Sequence, residues 1–358
     1  MNRHLLHGHL PPDHPCRRAL LLADAHGSAT KSLSTFLDKL LPDGNDAAIS
    51  PGSYNPDVKI AYSTIYVVPS NIKDDSGSSG GQRQVRPSFK NPATQTWNAE
   101  IKSIITSRWP NGFIVHRDQS QHELRVAGVL SGEPSLITAY TSSPPRDLHT
   151  DRAIQIFGPS CVTLPTFKTV ERQAAKHANF SDLNLCEWAT LQHTILDKSG
   201  VFIPTSTCCD IIRGRRRARP VLCDWQDRLL AEVSRTHFIE LPITGHRRNF
   251  IAFDRGAIVN FPVQGIAAAT VCAIDHRLRA TWLDPDKNAR DPFAFLFFNG
   301  YDALSIDCKD EQTAHDCKAA LEAAERWVEQ SGYWALICAH YGHFIPLAGE
   351  AKLIPAKP

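Results

Sequence analysis

The chain of 358 residues carries 39 Lys and Arg against 37 Asp and Glu, for a formal net charge of +2. So mild a basicity means that any nucleic-acid footprint must come from local clustering, and the length allows one or two buried cores. Ten cysteines without a Cys-x-x-Cys pair exclude a zinc framework and an evident disulfide scaffold, which points to reduced, intracellular thiols. No apolar run reaches the roughly 18 residues that a membrane span needs, and the His-, Arg- and Pro-rich start matches no secretory signal.

In chain order, residues 58–68 suggest a short strand. A polar Gly/Ser loop follows at Asp74 to Gly81. After Arg86, Pro92 and Gln95 comes a strand over residues 112–117, which delivers Asp118 at its end. An amphipathic helix over 120–130 is expected next, carrying Glu123 and Arg125. His149 follows, and a helix over 170–180 places Arg172, Lys176 and Phe180 at i, i+4 and i+8, on one face. Such a face can offer two cations to a triphosphate and an aromatic ring to a base or sugar. The densest basic run, Arg213 to Arg219, is either a solvated charge run or a phosphate contact. Helices over 224–235, 262–282 and 311–331 alternate with strands over 238–241, 293–298 and 304–308. The last two strands flank an Asn299-Gly300 turn that presents Asp302.

Asp118 and Asp302 taken singly read as solvated strand ends. Presented from neighbouring strands, they could hold two Mg²⁺ ions roughly 3.5–4 Å apart, the arrangement of two-metal phosphoryl transfer.

Five or six colinear segments together resemble the family A DNA polymerases, over roughly residues 30–358. Asp118-Gln-Ser-Gln-His-Glu123-Leu-Arg125 is similar to motif A and runs on into Ser131-Gly-Glu-Pro134. Arg172-x3-Lys176-x3-Phe180 resembles motif B, and Tyr301-Asp302-Ala303 stands where motif C has His-Asp-Glu. The chain departs from the family at Gln119, His122, Asn184-Leu185, Tyr301 and Ala303.

The resemblance implies an α+β fold: a right-hand polymerase palm with an antiparallel sheet and inserted helical fingers. Residues 1–50 would be a thumb remnant and lead-in, 51–158 the first part of the palm, 159–250 the fingers, and 251–358 the second part of the palm. It implies Asp118 and Asp302 as Mg²⁺ ligands with the backbone carbonyl of Gln119, and Lys176 as the proton donor to departing pyrophosphate. Arg172, Lys176, Phe180 and His149 would hold the dNTP, and Glu123 would exclude a ribose 2′-hydroxyl. Arg86, Gln95, Asn260 and Gln264 would touch primer-template DNA. A separate thumb or processivity factor is an expected partner, and a membrane is not. The compartment stays open between a bacterial or phage-host cytoplasm and a eukaryotic nucleus or mitochondrion. The rival readings are a catalytically weak or inactive remnant that only binds primer-template and a related single-subunit RNA polymerase, which Glu123 argues against.

Overall fold

The computed structural model describes residues 105–284, 288 and 291–357, together with four short strands earlier in the chain. These are β1 (Tyr54–Asn55), β2 (Ile60–Ala61), β3 (Thr64–Tyr66) and β4 (Ser88–Lys90), paired antiparallel as β1 with β2 and β3 with β4. Arg86, Gln95, the Gly/Ser loop and the thumb lead-in expected over residues 1–50 lie outside the described residues. The described chain divides into two compact units. One, the sheet unit, comprises residues 105–130, 239–248 and 261–357; the other, the helical unit, comprises Ser131–Phe238 and Asn249–Asn260.

In the sheet unit, β5 (Phe113–Gln119) leads through a left-handed Gln121 (φ 51) into α1 (His122–Ser131). The helical unit follows with α2 (Pro134–Thr141), α3 (Leu148–Phe157), a 3₁₀ turn (Pro159–Thr163), α4 (Glu171–Asn184), α5 (Trp188–Ser199), α6 (Thr205–Ala218) and α7 (Pro220–Thr236). A small hairpin, β6 (Phe238–Glu240) and β7 (Arg247–Asn249), precedes α8 (Arg255–Thr281). The chain closes with β8 (Ala294–Asn299), β9 (Ala303–Cys308), α9 (Glu311–Gln330), α10 (Tyr333–Tyr341) and β10 (Gly349–Pro355).

The main sheet has the order β10-β5-β9-β8, and every neighbouring pair is antiparallel. Its register sorts side chains by face, because successive residues of a strand point to opposite sides. Val115 lies opposite Ile306 and Phe113 opposite Cys308, giving a largely apolar face. Helix α9 covers it with Ala314, Cys317, Leu321, Ala324 and Val328, all buried at alternating spacings of three and four. Asp310 starts that helix by accepting from the Thr313 N–H at 2.7 Å, and the Thr313 hydroxyl together with this N–H holds the Asp310 carboxyl below its usual range. On the opposite face, His116 Nδ1 meets the Ser305 hydroxyl at 2.9 Å, and Asp307 accepts from Ser107 at 2.6 Å and Arg108 Nε at 3.0 Å.

The helical unit packs closely because α4 is built on small residues. Ala174 and Ala178 are buried against Leu191, Ile195, Ile203 and Cys208, while Ala175 meets Ala153 and Cys161. Full burial of Leu191 or Ile195 contributes about 1.5–3 kcal/mol each. Glu133 ties two helix starts together. Its Oε1 accepts from the Ser135 N–H of α2 at 3.2 Å, and its Oε2 accepts from Val221 and Leu222 at the start of α7 at 3.0 and 3.1 Å. One carboxylate thereby satisfies donors that each helix leaves unpaired.

Several elements were not anticipated from sequence: α2, α3, α5, α6, α10 and β10. Helix α8 begins at Arg255, seven residues before the expected start, with Pro262 inside it. An 18-residue window of α8 has a mean hydropathy of 1.7, long and apolar enough to cross a bilayer, which corrects the sequence reading that no such segment exists. The window is 67% buried within the protein, so its apolar residues have protein partners.

Candidate active site

The sheet unit brings Asp118 and Asp302 together. Asp118 is the sixth residue of β5 and lies directly opposite Ala303 of β9. The Gln119 N–H donates to the Asp302 carbonyl at 2.8 Å, so Asp302 occupies the next rung of the same ladder. A strand residue sends its N–H and C=O to the same edge, so the Gln119 carbonyl also faces the Asp302 side. Both aspartates are exposed, whereas Ala303 and the rest of β9 are buried. The hairpin that presents Asp302 is closed by the Gly300 N–H donating to the Ala303 carbonyl at 2.7 Å, and Tyr301 is left-handed (φ 77). The Asn299 side-chain oxygen accepts from the Tyr301 N–H at 3.3 Å, and a Cβ at Gly300 would lie 2.5 Å from the Phe298 ring. A side chain at position 300 would therefore require the Phe298 ring to move, and Asn299 supplies the side-chain acceptor of the turn that aims the second carboxylate. Glu123 is half-buried in the first turn of α1.

These residues fit Mg²⁺ rather than a metal needing a closed cage. Among the described residues no group of three or more His, Cys, Asp or Glu could hold a metal ion. Mg²⁺ keeps several waters and takes one or two carboxylates together with phosphate oxygens. The Asp118 and Asp302 carboxylates and the Gln119 carbonyl are oxygen donors of the type that such an ion takes.

The helical unit brings together a second group. Arg172, Lys176 and Phe180 line one face of α4, all half-buried, with Lys176 Nζ 5.7 Å from the centre of the Phe180 ring. The His149 ring stands 6.0 Å from that ring and is buried. Arg219 fixes the tautomer of His149 indirectly. An arginine can only donate, so the Asn179 atom that Arg219 Nη2 meets at 3.0 Å is the acceptor Oδ1. The Asn179 amide nitrogen therefore faces α3, donating to the Leu148 carbonyl at 2.9 Å and to His149 Nδ1 at 3.0 Å. Burial, with Arg172, Lys176 and Arg219 adding positive charge nearby, lowers the His149 pKa to about 3. The ring is neutral near pH 7, and its Nε2 carries the proton.

Arg172 does not stand open. Asp147 accepts from its Nε at 2.7 Å and its Nη2 at 3.2 Å, while also capping α3 through the His149 N–H at 3.1 Å and the Thr150 hydroxyl at 2.8 Å. Burial pushes the Asp147 carboxyl up, but Arg172 and these hydrogen bonds outweigh it and hold the group below its usual range. The basic run also resolves into separate tasks. Arg219 is buried against Asp182 at 3.1 Å, and Arg152 reaches the same carboxylate at 3.0 Å. Arg216 is paired with Asp224 and Asp227. Arg213 and Arg217, one helical turn apart on α6, are exposed. Asn260 and Gln264 are half-buried one turn apart on α8, and the Asn260 Oδ1 is shielded from solvent with no hydrogen-bond partner.

Sequence reasoning missed Asp147, Asn179, the Asp182–Arg152–Arg219 cluster, and Arg117 with Glu325. Asp147-Leu-His149 carried the signal for the first, since an Asp two residues before a helical His is a capping pattern. Nothing local announced Asp182, whose partners come from helices 30 and 37 residues away.

The described residues thus place two exposed aspartates where adjacent strands of one sheet meet, and carry a helix face of cations and an aromatic. The family model for DNA polymerase family A matches residues 70–315, and the chain belongs to that family. Among solved structures, the fold is similar to the POL domain of Pol1 from M. smegmatis in complex with DNA primer-template and dNTP. That likeness has a TM-score of 0.64 at 14% identity, covering 96% of this chain and 54% of the other. The chain thus spans about half the length of that polymerase domain. No curated protein matches it.

Proposed function

We propose that the chain is a polymerase core that adds deoxynucleotides to a primer 3′-hydroxyl under the direction of a template strand. The observation that carries this reading is the pair of exposed carboxylates, Asp118 and Asp302, on adjacent rungs of one ladder in a chain of family A. Bound there, two Mg²⁺ ions would supply charge stabilisation to the attacking and leaving oxygens. The protein's own part is to hold and orient. Neutral His149 offers an Nε2–H to a phosphate oxygen, and Lys176 offers a mobile ammonium to the departing pyrophosphate. Arg172 must exchange the Asp147 carboxylate for phosphate oxygens, and two-point contact suits either anion. Phe180, whose ring neighbours both Lys176 and His149, is the surface on which a base or sugar rests. Glu123 selects the deoxyribose, while Asn260 and Gln264 test the primer-template minor groove, where acceptors are alike for every base pair. Arg213 and Arg217 are the members of the basic run available to a phosphate backbone.

A second reading, a core that binds primer-template without extending it, is favoured by Ala303, which leaves the pair without a third acidic side chain. Primer extension on a short template with Mg²⁺ decides between them. Template-dependent incorporation of dNTPs over rNTPs is the expected result; retained primer-template binding without extension would establish the second reading.

A further inference from the structure

The face of β5 that packs against α9 is apolar at Val115 yet polar at its last two inward positions, Arg117 and Gln119, which bracket Asp118 in sequence. Both reach one acceptor. Glu325 of α9 accepts from Arg117 Nη2 at 2.7 Å through Oε1, and from Arg117 Nε at 3.1 Å and Gln119 Nε2 at 2.5 Å through Oε2. Arg117, Gln119 and Glu325 are 5%, 6% and 8% exposed. Gly349 of β10, directly opposite Gln119, completes the enclosure: a Cβ there would lie 2.8 Å from both Arg117 Nε and Glu325 Oε2. Next along the chain, Arg125 donates to the Ser120 carbonyl at 2.9 Å and to the Pro346 carbonyl at 2.8 Å, so the fixed backbone extends past Gln119.

A buried ion pair is a poor stabiliser compared with apolar side chains of the same volume, because desolvation offsets the attraction. The Gln119 Oε1 is moreover buried without a hydrogen-bond partner, a further cost. What such a group does provide is direction: three hydrogen bonds to one carboxylate fix where two alternate residues of a strand sit, and so fix the residue between them. We propose that Glu325 is a positioning residue, which through Arg117 and Gln119 sets the place of the Asp118 carboxylate and the Gln119 carbonyl relative to Asp302. Glu325 touches no reacting atom. The inference rests on the reading of Asp118 as part of the reaction centre.

The test compares Glu325→Gln and the milder Gln119→Leu, which keeps the backbone carbonyl, with Val328→Ala, a buried truncation on the same helix. Single-nucleotide primer extension gives kcat and the dNTP KM, thermal melting gives Tm, and electron paramagnetic resonance of added Mn²⁺ gives metal affinity without turnover. Glu325→Gln and Gln119→Leu are expected to lower kcat by about tenfold or more, as a small misplacement of a reacting group does, with KM changed less than about twofold. Both are expected to weaken Mn²⁺ binding, while Val328→Ala lowers Tm and leaves kcat and Mn²⁺ affinity alone. If Val328→Ala lowers kcat as much at equal Tm loss, Glu325 is only structural and the proposal falls. If the wild type does not extend primers, the functional reading fails, and Mn²⁺ affinity then decides the positioning role: equal affinity in the wild type and both clamp variants overturns it. Should Glu325→Gln fail to fold, Gln119→Leu carries the same comparison.

Discussion

The Asp118–Asp302 pair of the sheet unit and Asp182 of the helical unit are used in opposite ways. In the sheet unit, Asp118 and Asp302 stand exposed at strand ends, on a frame whose backbone is held from beneath. In the helical unit, Asp182 is fully buried between Arg152 and Arg219 and serves to join α3, α4 and the α6–α7 corner. The contrast teaches that a carboxylate left facing water keeps its hydration and can meet an ion or a substrate there. A carboxylate that the fold has desolvated and paired is committed to structure.

The sharpest way to break that contrast is to delete one aspartate of each kind. Asp182→Ala removes the carboxylate shared by the buried Arg219 and the half-buried Arg152, and about 3–5 kcal/mol of stability is expected to be lost in urea denaturation. Asp118→Ala should change stability by no more than about 0.5 kcal/mol, as exposed substitutions do. Equal losses would erase the distinction.

Acid provides the next largest effect, and it acts on the helical unit. The folded-state pKa of His149 lies near 3, below its ordinary 6.5, so the unfolded chain binds more protons between those values. Stability is therefore full above pH 6.5 and falls with acidification towards pH 3, by up to about 1.4 kcal/mol per pH unit from this one group. His177, also lowered by burial and the nearby Lys176 and Lys198, adds in the same direction. Urea midpoints at pH 7, 5.5 and 4.5 should show the slope, and His149→Gln should flatten it.

A smaller effect separates holding from binding at Arg172. Asp147→Asn keeps an oxygen for the α3 cap but removes the charge that occupies Arg172. Tripolyphosphate binding measured by calorimetry should tighten about two- to fivefold, the scale of a partly exposed ion pair. Weaker binding would mean that Asp147 orients Arg172 for phosphate. The smallest change expected is at α6, where Arg213→Ser with Arg217→Ser should reduce the salt slope of duplex binding by about 1.8. Arg216→Ser, already held by Asp224 and Asp227, should reduce it less.

Much of the sheet unit was legible in the sequence because its signals are local. β5, β8 and β9 are apolar runs, Asn299-Gly300 marks the hairpin, and α9 repeats its buried residues every three or four positions. The edge strand β10 escaped because Glu350 and Lys352 alternate with its apolar residues and Pro355 ends it, a composition shared with loops. Helices of the helical unit escaped because α5 and α6 intersperse their apolar residues with polar and charged ones, which blurs the period. The identities of the candidate site residues came from motif order. Their environment did not, since the Asp147–Arg172 pair, the Asn179 link to His149 and the Glu325 clamp join residues from 25 to 208 positions apart.

The most direct measurement of the central claim, that the exposed pair is the reaction centre, is extension and binding of one primer-template by the wild type, Asp118→Ala and Asp302→Ala. The account predicts that each variant binds primer-template as the wild type does and loses at least about a hundredfold in extension rate. Extension surviving either substitution would contradict it.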